Sequence, residues 1–412
     1  MARPPQSTTT TTTTAPNPPW TTHLTLDLLL RVLSKTLFHP FIAWLIPLCL
    51  RAQATPYSHP SFIITASYAT LVSVLVLLGV LNRWVAYGGA RGLGRLDCDG
   101  DGDDDDDGDG KEGEGEGEGE GEEVVVVAGG GSGLGLLIAE SYGMRGVSVG
   151  VLDVRDVGDV EGWEEGHRGV SYYRCDVGER GEVERVGERV VRELGTPTIL
   201  INCIAAPING LPLLSLTPAA IAKTIHANLF SFFHTLQVFM PGMLNAPHGG
   251  TIVTVSSVLS YLTAAGLSDY TATKAAIAAV HKTVEAELRV SGDDKKVKML
   301  LVETGQMATP LFDGVETPNN FFAPVLEPVE VAREIIRAID SGNGGVIRLP
   351  AFAKLASWYA VLPVGVQRVA RYLSGIDMAV GRAGFKGPAI ERKGDANGKA
   401  RLKSQKSSES DR

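Results

Sequence analysis

Cysteine is scarce. Only Cys49, Cys98, Cys175 and Cys203 occur in 412 residues, and no two stand in C-x-x-C spacing, which excludes the common zinc and dithiol motifs. The scarcity fits a reducing compartment, and the absence of any N-x-S/T acceptor fits a chain that faces the cytosol. Aromatic residues make up 7%, and no Lys/Arg cluster is interleaved with them, so a nucleic-acid partner is excluded. No repeat with a period of about 20–50 residues is evident, which excludes a solenoid. His226, His234 and His281 show no metal-ligand spacing, so they read as packing or surface residues and no metal is expected.

What is present is uneven. The formal charge is −9, but Asp97–Glu123 holds 16 acidic residues and one lysine, leaving a mildly basic remainder of about +6. The stretch DCDGDGDDDDDG has a partial calcium-loop spacing, yet position 12 is Gly108 rather than Glu and position 8 is Asp104 rather than apolar. Residues 97–122 read instead as an acidic, glycine-rich tether held extended by like-charge repulsion. Residues 1–22, with the run Thr8–Thr14 and Pro16, Pro18 and Pro19, read as a low-complexity tail rather than a secretory signal. Residues 386–412 read as a charged tail.

Two apolar segments lie within 23–96. Leu37–Leu50 is 14 residues long with two prolines, short for a span and suited to a re-entrant or interfacial segment. Ser61–Leu81 is 21 residues without a charge and reads as a membrane span. Arg83, Arg91 and Arg95 follow it, while only Arg51 precedes it closely, so the positive-inside rule places the remainder of the chain in the cytosol. One span and a hairpin of both segments give that same orientation.

From 123 to 350 the pattern alternates. Apolar strand runs at Val124–Ala128, Val147–Asp153, Val170–Asp176, Thr198–Cys203, Thr251–Ser256, Lys298–Glu303 and Val346–Leu349 are separated by helical stretches such as Glu179–Leu194, Ala219–Met240 and Thr273–Val290. This order predicts an α/β fold with a parallel sheet covered on both faces.

The first strand runs directly into AGGGSGLG, and an apolar helical pattern begins at Leu134. A strand–glycine–helix junction is what a dinucleotide-binding turn requires: glycines allow close backbone approach, and the helix N-terminus offers free N–H groups to the pyrophosphate. The spacing is Gly129-x-x-x-Gly133-x-Gly135. The next strand ends in Asp153, whose carboxylate suits the two ribose hydroxyls and repels a 2′-phosphate, favouring NAD. Arg155, two residues on, keeps NADP open.

The segment SSVLSYLTAAGLSDYTATKAAI places Tyr270 and Lys274 one helical turn apart. An ammonium there is expected to lower the tyrosine toward a useful acid/base range. Ser257, at the end of a strand, can hydrogen-bond the same substrate oxygen.

On these residues the segment from about Val124 to Leu349 resembles the short-chain dehydrogenase/reductase family, whose members have a Rossmann-type doubly wound sheet and use NAD(P). The resemblance implies a coenzyme turn at Gly129, Ser132, Gly133, Leu134 and Gly135, an adenine contact at Asp176 and Val177, and a coenzyme-side asparagine at Asn202. It further implies Tyr270 as acid/base, Lys274 as its ribose-binding partner, Ser257 as the substrate-positioning hydroxyl, Asn228 as part of a proton relay and Thr309 as a nicotinamide contact. The chain departs from the family pattern at Ala128, Cys203–Ala205 and Thr304, where Thr, Asn-Ala-Gly and Pro are usual.

The anchor makes the whole similar to membrane-bound members acting on retinols, steroids or other lipid alcohols. The implied setting is the endoplasmic reticulum or lipid droplet, with the catalytic part in the cytosol. Residues 351–385, with Trp358, Tyr359, Leu362 and Val366 beside Lys354, Arg368 and Arg371, read either as an interfacial helix region broken at Pro363 or as helices packed on the domain. The helices around Asn228 and Tyr270 form dimer faces in the family, so a homodimer is open. Two alternatives stand beside lipid-alcohol oxidation: an NADPH-linked keto-lipid reductase, and a non-catalytic membrane scaffold that keeps the fold.

Overall fold

Four valines and an alanine, Val124–Ala128, form β1, buried on both faces because the strand lies at the centre of its sheet. The computed structural model describes residues 24–87, 123–160, 163, 169–312, 315, 317 and 319–380. The expected tails at 1–22 and 386–412 and the tether at 97–122, with its calcium-like string, lie outside them, as do Arg91 and Arg95.

The remaining strands are β2 (Ser148–Asp153), β3 (Val170–Arg174), β4 (Ile199–Asn202), β5 (Gly250–Ser257), β6 (Val297–Thr304) and β7 (Gly345–Leu349). They form one seven-stranded sheet in the order β3-β2-β1-β4-β5-β6-β7, with every pairing parallel. This is the doubly wound arrangement expected, and each expected strand run matches an observed strand to within two residues at either end.

Alternate side chains of β1 serve the two faces. Val125 and Val127 pack with Ile138 and Ile335, whereas Val126 and Ala128 pack with Val183, Phe232 and Ile277. The first face is covered by α4 (Gly133–Met144) and α9 (Pro328–Asp340); the second by α5 (Arg180–Glu193), α7 (Ser231–Asn245) and α8 (Ser268–Ser291). In α9 the spacing of Val331, Ile335, Ile336 and Ile339 turns one apolar stripe to the sheet, and Pro328 begins the helix where its missing N–H is harmless. The sheet reverses its winding between β1 and β4, which opens a crevice above their carboxyl ends.

The helix expected over Ala219–Met240 is longer and interrupted. It comprises α6 (Pro218–Ile225), a π-helical turn over His226–Phe230 and α7.

Before the sheet come α1 (Leu26–Lys35), α2 (Pro40–Ala52) and α3 (Pro60–Tyr87). Of α3, residues Pro60–Asn82 are long and apolar enough to cross a membrane. The short segment expected from Leu37 starts its helix at Pro40, again at the first turn. Together α1 and α2, bent by 50° where they meet, are also long and apolar enough. Trp44 Nε1 donates to Ser73 Oγ at 3.0 Å, joining α2 to α3. The first helix also touches the α/β part: the Leu26 amide donates to the Phe321 carbonyl at 2.8 Å, and Asp27 accepts from the Ala351 amide at 2.6 Å.

Candidate active site

The glycine turn between β1 and α4 is shaped by backbone that comes too close for side chains. Gly129 has φ +79°, and a Cβ there would lie 2.9 Å from Ile204 Cα. A Cβ on Gly135 would press into the Gly129 carbonyl, which is backbone and cannot give way. Thr309 lies against the same turn, its Cγ2 3.4 Å from where a Gly133 Cβ would be. Ser132 precedes α4 without a side-chain cap bond, so the first-turn amides are not capped from within. These features fit a dinucleotide pyrophosphate, with Gly129, Ser132, Gly133, Leu134 and Gly135 as the cradle. Ala128 lacks the hydroxyl usual there, yet the turn is held by backbone bonds, Gly129 N to Leu152 O at 2.8 Å and Cys203 N to Ala128 O at 2.9 Å.

Asp153 ends β2, as the sequence indicates, and its Oδ2 accepts from the Gly131 amide at 2.9 Å. A Cβ on Gly131 would stand 2.7 Å from the Asp153 carboxyl carbon, so a side chain there would push that carboxylate aside. The pattern reading passed over this glycine because it belongs to no spacing rule. Arg155 donates to Ser132 Oγ at 2.7 Å and lies 3.7 Å from Asp153.

Ser257 closes β5 and Tyr270 and Lys274 lie on α8, all three about 3% exposed. The Ser257 hydroxyl donates to the Thr304 carbonyl at 3.3 Å and accepts from the Leu259 amide at 3.2 Å. Burial pushes the Tyr270 hydroxyl above its ordinary value, and a hydrogen bond with Ser257 pulls the other way. Lys274 is itself pushed down to about 8 by burial. The expected lowering of Tyr270 by the ammonium is therefore not the leading effect. Lys274 Nζ lies 5.8 Å from the Tyr270 ring centre and donates to the carbonyls of Val255 at 3.0 Å and Ile204 at 3.4 Å. The i, i+4 spacing is real, but depth of burial decides the sign.

Asn228 sits inside the π-helical turn and is 1% exposed. Its Oδ1 accepts from the Ala206 amide at 2.6 Å and its Nδ2 donates to Thr273 at 2.9 Å. The side chain thus ties the loop after β4 to α8, one residue from Lys274. Asn202 Oδ1 accepts from Thr235 at 2.8 Å, anchoring the end of β4 to α7.

Of these groups the glycine turn, Asp153, Arg155, Tyr270 and Lys274 line one cleft of about 820 Å³, which also takes in Asp176, Val177 and Thr309, whereas Ser257, Asn228 and Asn202 lie behind its wall. Part of its wall is apolar, formed by Pro207, Ile208, Met307, Leu311 and Phe312. Cys203 lines the cleft, but burial pushes its thiol up to about 12, so it offers no nucleophile. His281 is buried against Thr254 at 2.8 Å and His234 meets the Val177 carbonyl at 3.2 Å.

The short chain dehydrogenase family profile matches residues 123–320. An uncharacterized oxidoreductase of Saccharomyces cerevisiae is 28% identical over 214 residues, covering 51% of this chain and 69% of that protein. Human retinol dehydrogenase 10 is 34% identical over 169 residues, covering 40% of this chain and 49% of its own length. A second uncharacterized yeast oxidoreductase is 32% identical over 155 residues, covering 38% and 47%. The match thus spans about half the length of the latter two. With the parallel sheet, the glycine turn sharing one cleft with Tyr270 and Lys274, and Ser257 buried at the end of β5, residues 123–320 belong to the short-chain dehydrogenase/reductase family.

Proposed function

We propose that the protein is a membrane-anchored, NAD(P)-dependent oxidoreductase that interconverts a lipophilic alcohol (a retinoid, steroid or long-chain lipid) and its carbonyl. The carrying observation is that the buried Tyr270 and Lys274 line one cleft together with the glycine turn and an apolar wall. A nicotinamide dinucleotide, when bound, supplies or takes up the hydride. The chain's own residues handle the proton and the orientation. Ser257 holds the substrate oxygen, and Tyr270 takes its proton in oxidation or returns it in reduction. Lys274 would hold the ribose of the coenzyme and Thr309 its nicotinamide.

Asp153 at the end of β2 favours NAD, and with it oxidation of the alcohol. Arg155 supports the second reading, an NADPH-linked keto-lipid reductase, because its guanidinium already reaches Ser132 across the turn. The name of the retinol dehydrogenase relative supports the lipid reading, and so does α3. The exposed Leu355, Trp358, Val366 and Leu373 on α10 (Ala353–Tyr359) and α11 (Val364–Ser374) support an interfacial role for this region. Pro363 separates the two helices, as its position in the sequence implies. Residence at the endoplasmic reticulum or lipid droplet, a cytosolic catalytic part and a homodimer through the helices flanking Asn228 and Tyr270 complete the proposal.

The test is turnover of a panel of lipid alcohols and ketones by the purified full chain with each coenzyme. Tyr270→Phe is expected to lower kcat by a factor of about 10²–10⁴ with coenzyme binding retained. Absence of turnover across the panel, with Tyr270→Phe indistinguishable in cells, would favour the scaffold reading.

A further inference from the structure

Glu303 is a carboxylate at 1% exposure in β6, and the proton chemistry above makes no use of it. Both its oxygens are engaged. Oε2 pairs with the Arg348 guanidinium of β7 at 2.7 Å, and Oε1 accepts the Tyr261 hydroxyl at 2.8 Å. That hydroxyl in turn accepts from Lys282 Nζ of α8 at 3.0 Å. Donors and acceptors are matched along the whole chain of contacts. A buried ion pair is a weak source of stability, since desolvation offsets the attraction, so its role is better sought in what it fixes in place.

What it fixes is Tyr261. This residue stands four positions after Ser257, at the far end of the 3-10 turn Val258–Ser260. The near end of that turn grips the Ser257 hydroxyl through the Leu259 amide at 3.2 Å. Tyr261 therefore has one hand on β6, beside the Thr304 carbonyl that receives the Ser257 hydroxyl, and the other on α8, the helix that carries Tyr270 and Lys274. The register of β5 on β6 pairs Ser256 with Glu303 and Ser257 with Thr304, so the anchor and the serine lie one residue apart along neighbouring strands.

We propose that Tyr261, held by Glu303 and Lys282, is a positioning residue that sets the Ser257 hydroxyl against Tyr270. The assignment rests on the functional reading above for its catalytic consequence, but not for its structural one. Removing the Tyr261 hydroxyl frees the 3-10 turn at one end and lets the Ser257 hydroxyl rotate away from the substrate oxygen. Coenzyme binding, which draws on the glycine turn after β1, is left intact.

The experiment compares the full chain with Tyr261→Phe and Glu303→Gln by amide hydrogen exchange and by kinetics. In Tyr261→Phe the amides of residues 258–262 are expected to exchange at least tenfold faster, with those of β1 and α4 unchanged. kcat is expected to fall about tenfold, with the coenzyme dissociation constant within twofold of the parent. Glu303→Gln keeps an acceptor for Tyr261 and is expected to fall between the two. Unchanged exchange at 258–262 in Tyr261→Phe overturns the proposal, whether or not a substrate has been found. Faster exchange with kcat within twofold of an active parent overturns the catalytic part of it. An inactive parent would count against the functional reading, while the exchange result still decides the anchoring role.

Discussion

The Asp153 carboxylate accepts the Gly131 amide at 2.9 Å, and Arg155 spans the same turn to reach Ser132 at 2.7 Å. One side chain of each sign thus borders the place where an adenosine ribose would lie. Arg155→Ala is expected to weaken NADP binding about tenfold while changing NAD binding by less than twofold. Fluorescence titration of the purified protein with each coenzyme measures this. Equal loss for both would mean that Arg155 merely braces the turn.

Gly135 leaves no room for a methyl group, because its neighbour there is the Gly129 carbonyl. Gly135→Ala is expected to lower stability by about 1–3 kcal/mol through forced backbone movement. Coenzyme affinity should drop at least tenfold, since the cradle itself must shift. Thermal unfolding and a binding isotherm on the same sample separate the two effects.

His281 gives the fold a defined acid sensitivity. Burial, with a smaller push from Lys282, lowers its pKa to about 4 from an ordinary 6.5. Between those values the unfolded chain holds a proton that the folded chain refuses. Stability fully present above pH 6.5 is therefore lost as the pH falls toward 4, by up to about 3 kcal/mol. His281→Asn should flatten that window in a series of melts from pH 4 to pH 7, whatever its effect at neutral pH. An unchanged slope would place the acid sensitivity in other groups.

Asn228 holds two partners at once, the Ala206 amide and Thr273, and of these the Thr273 hydroxyl also donates to the Tyr270 carbonyl at 2.8 Å. Asn228→Ala is expected to destabilise the protein by about 1–3 kcal/mol, chiefly for the buried Ala206 amide left unmatched. Turnover should fall as well, because the loop after β4 and the helix carrying Lys274 lose their link. Retained stability with full activity would show that both partners readily find water.

The sheet was legible because its strands are buried runs bounded by glycines and turn residues, a signal that burial on both faces makes strong. The place of Ser257 at a strand end and of Tyr270 and Lys274 one turn apart on a helix was legible from the sequence. Their electrostatics were not: the distance from Tyr270 to Lys274 along a helix says nothing of how deeply either is buried. Gly131 was overlooked for a similar reason, since the constraint on it arises from Asp153, a residue on another strand. The α1 helix carries a Thr25 cap and Asp27 in its first turn, a readable start signal that its short apolar pattern obscured. Nothing in HANLF announces a π-helical turn.

That turn acts as a phase shifter. Its hydrogen bond from the Ser231 amide to the His226 carbonyl encloses one residue more than an α-helical turn would. Winding the same residues as an uninterrupted α-helix would rotate everything beyond them by roughly 100°. Thr235 would then swing off Asn202, and Phe232, Leu236 and Phe239 would leave the sheet for solvent. The second face of the core therefore depends on a helix that is deliberately out of step with itself.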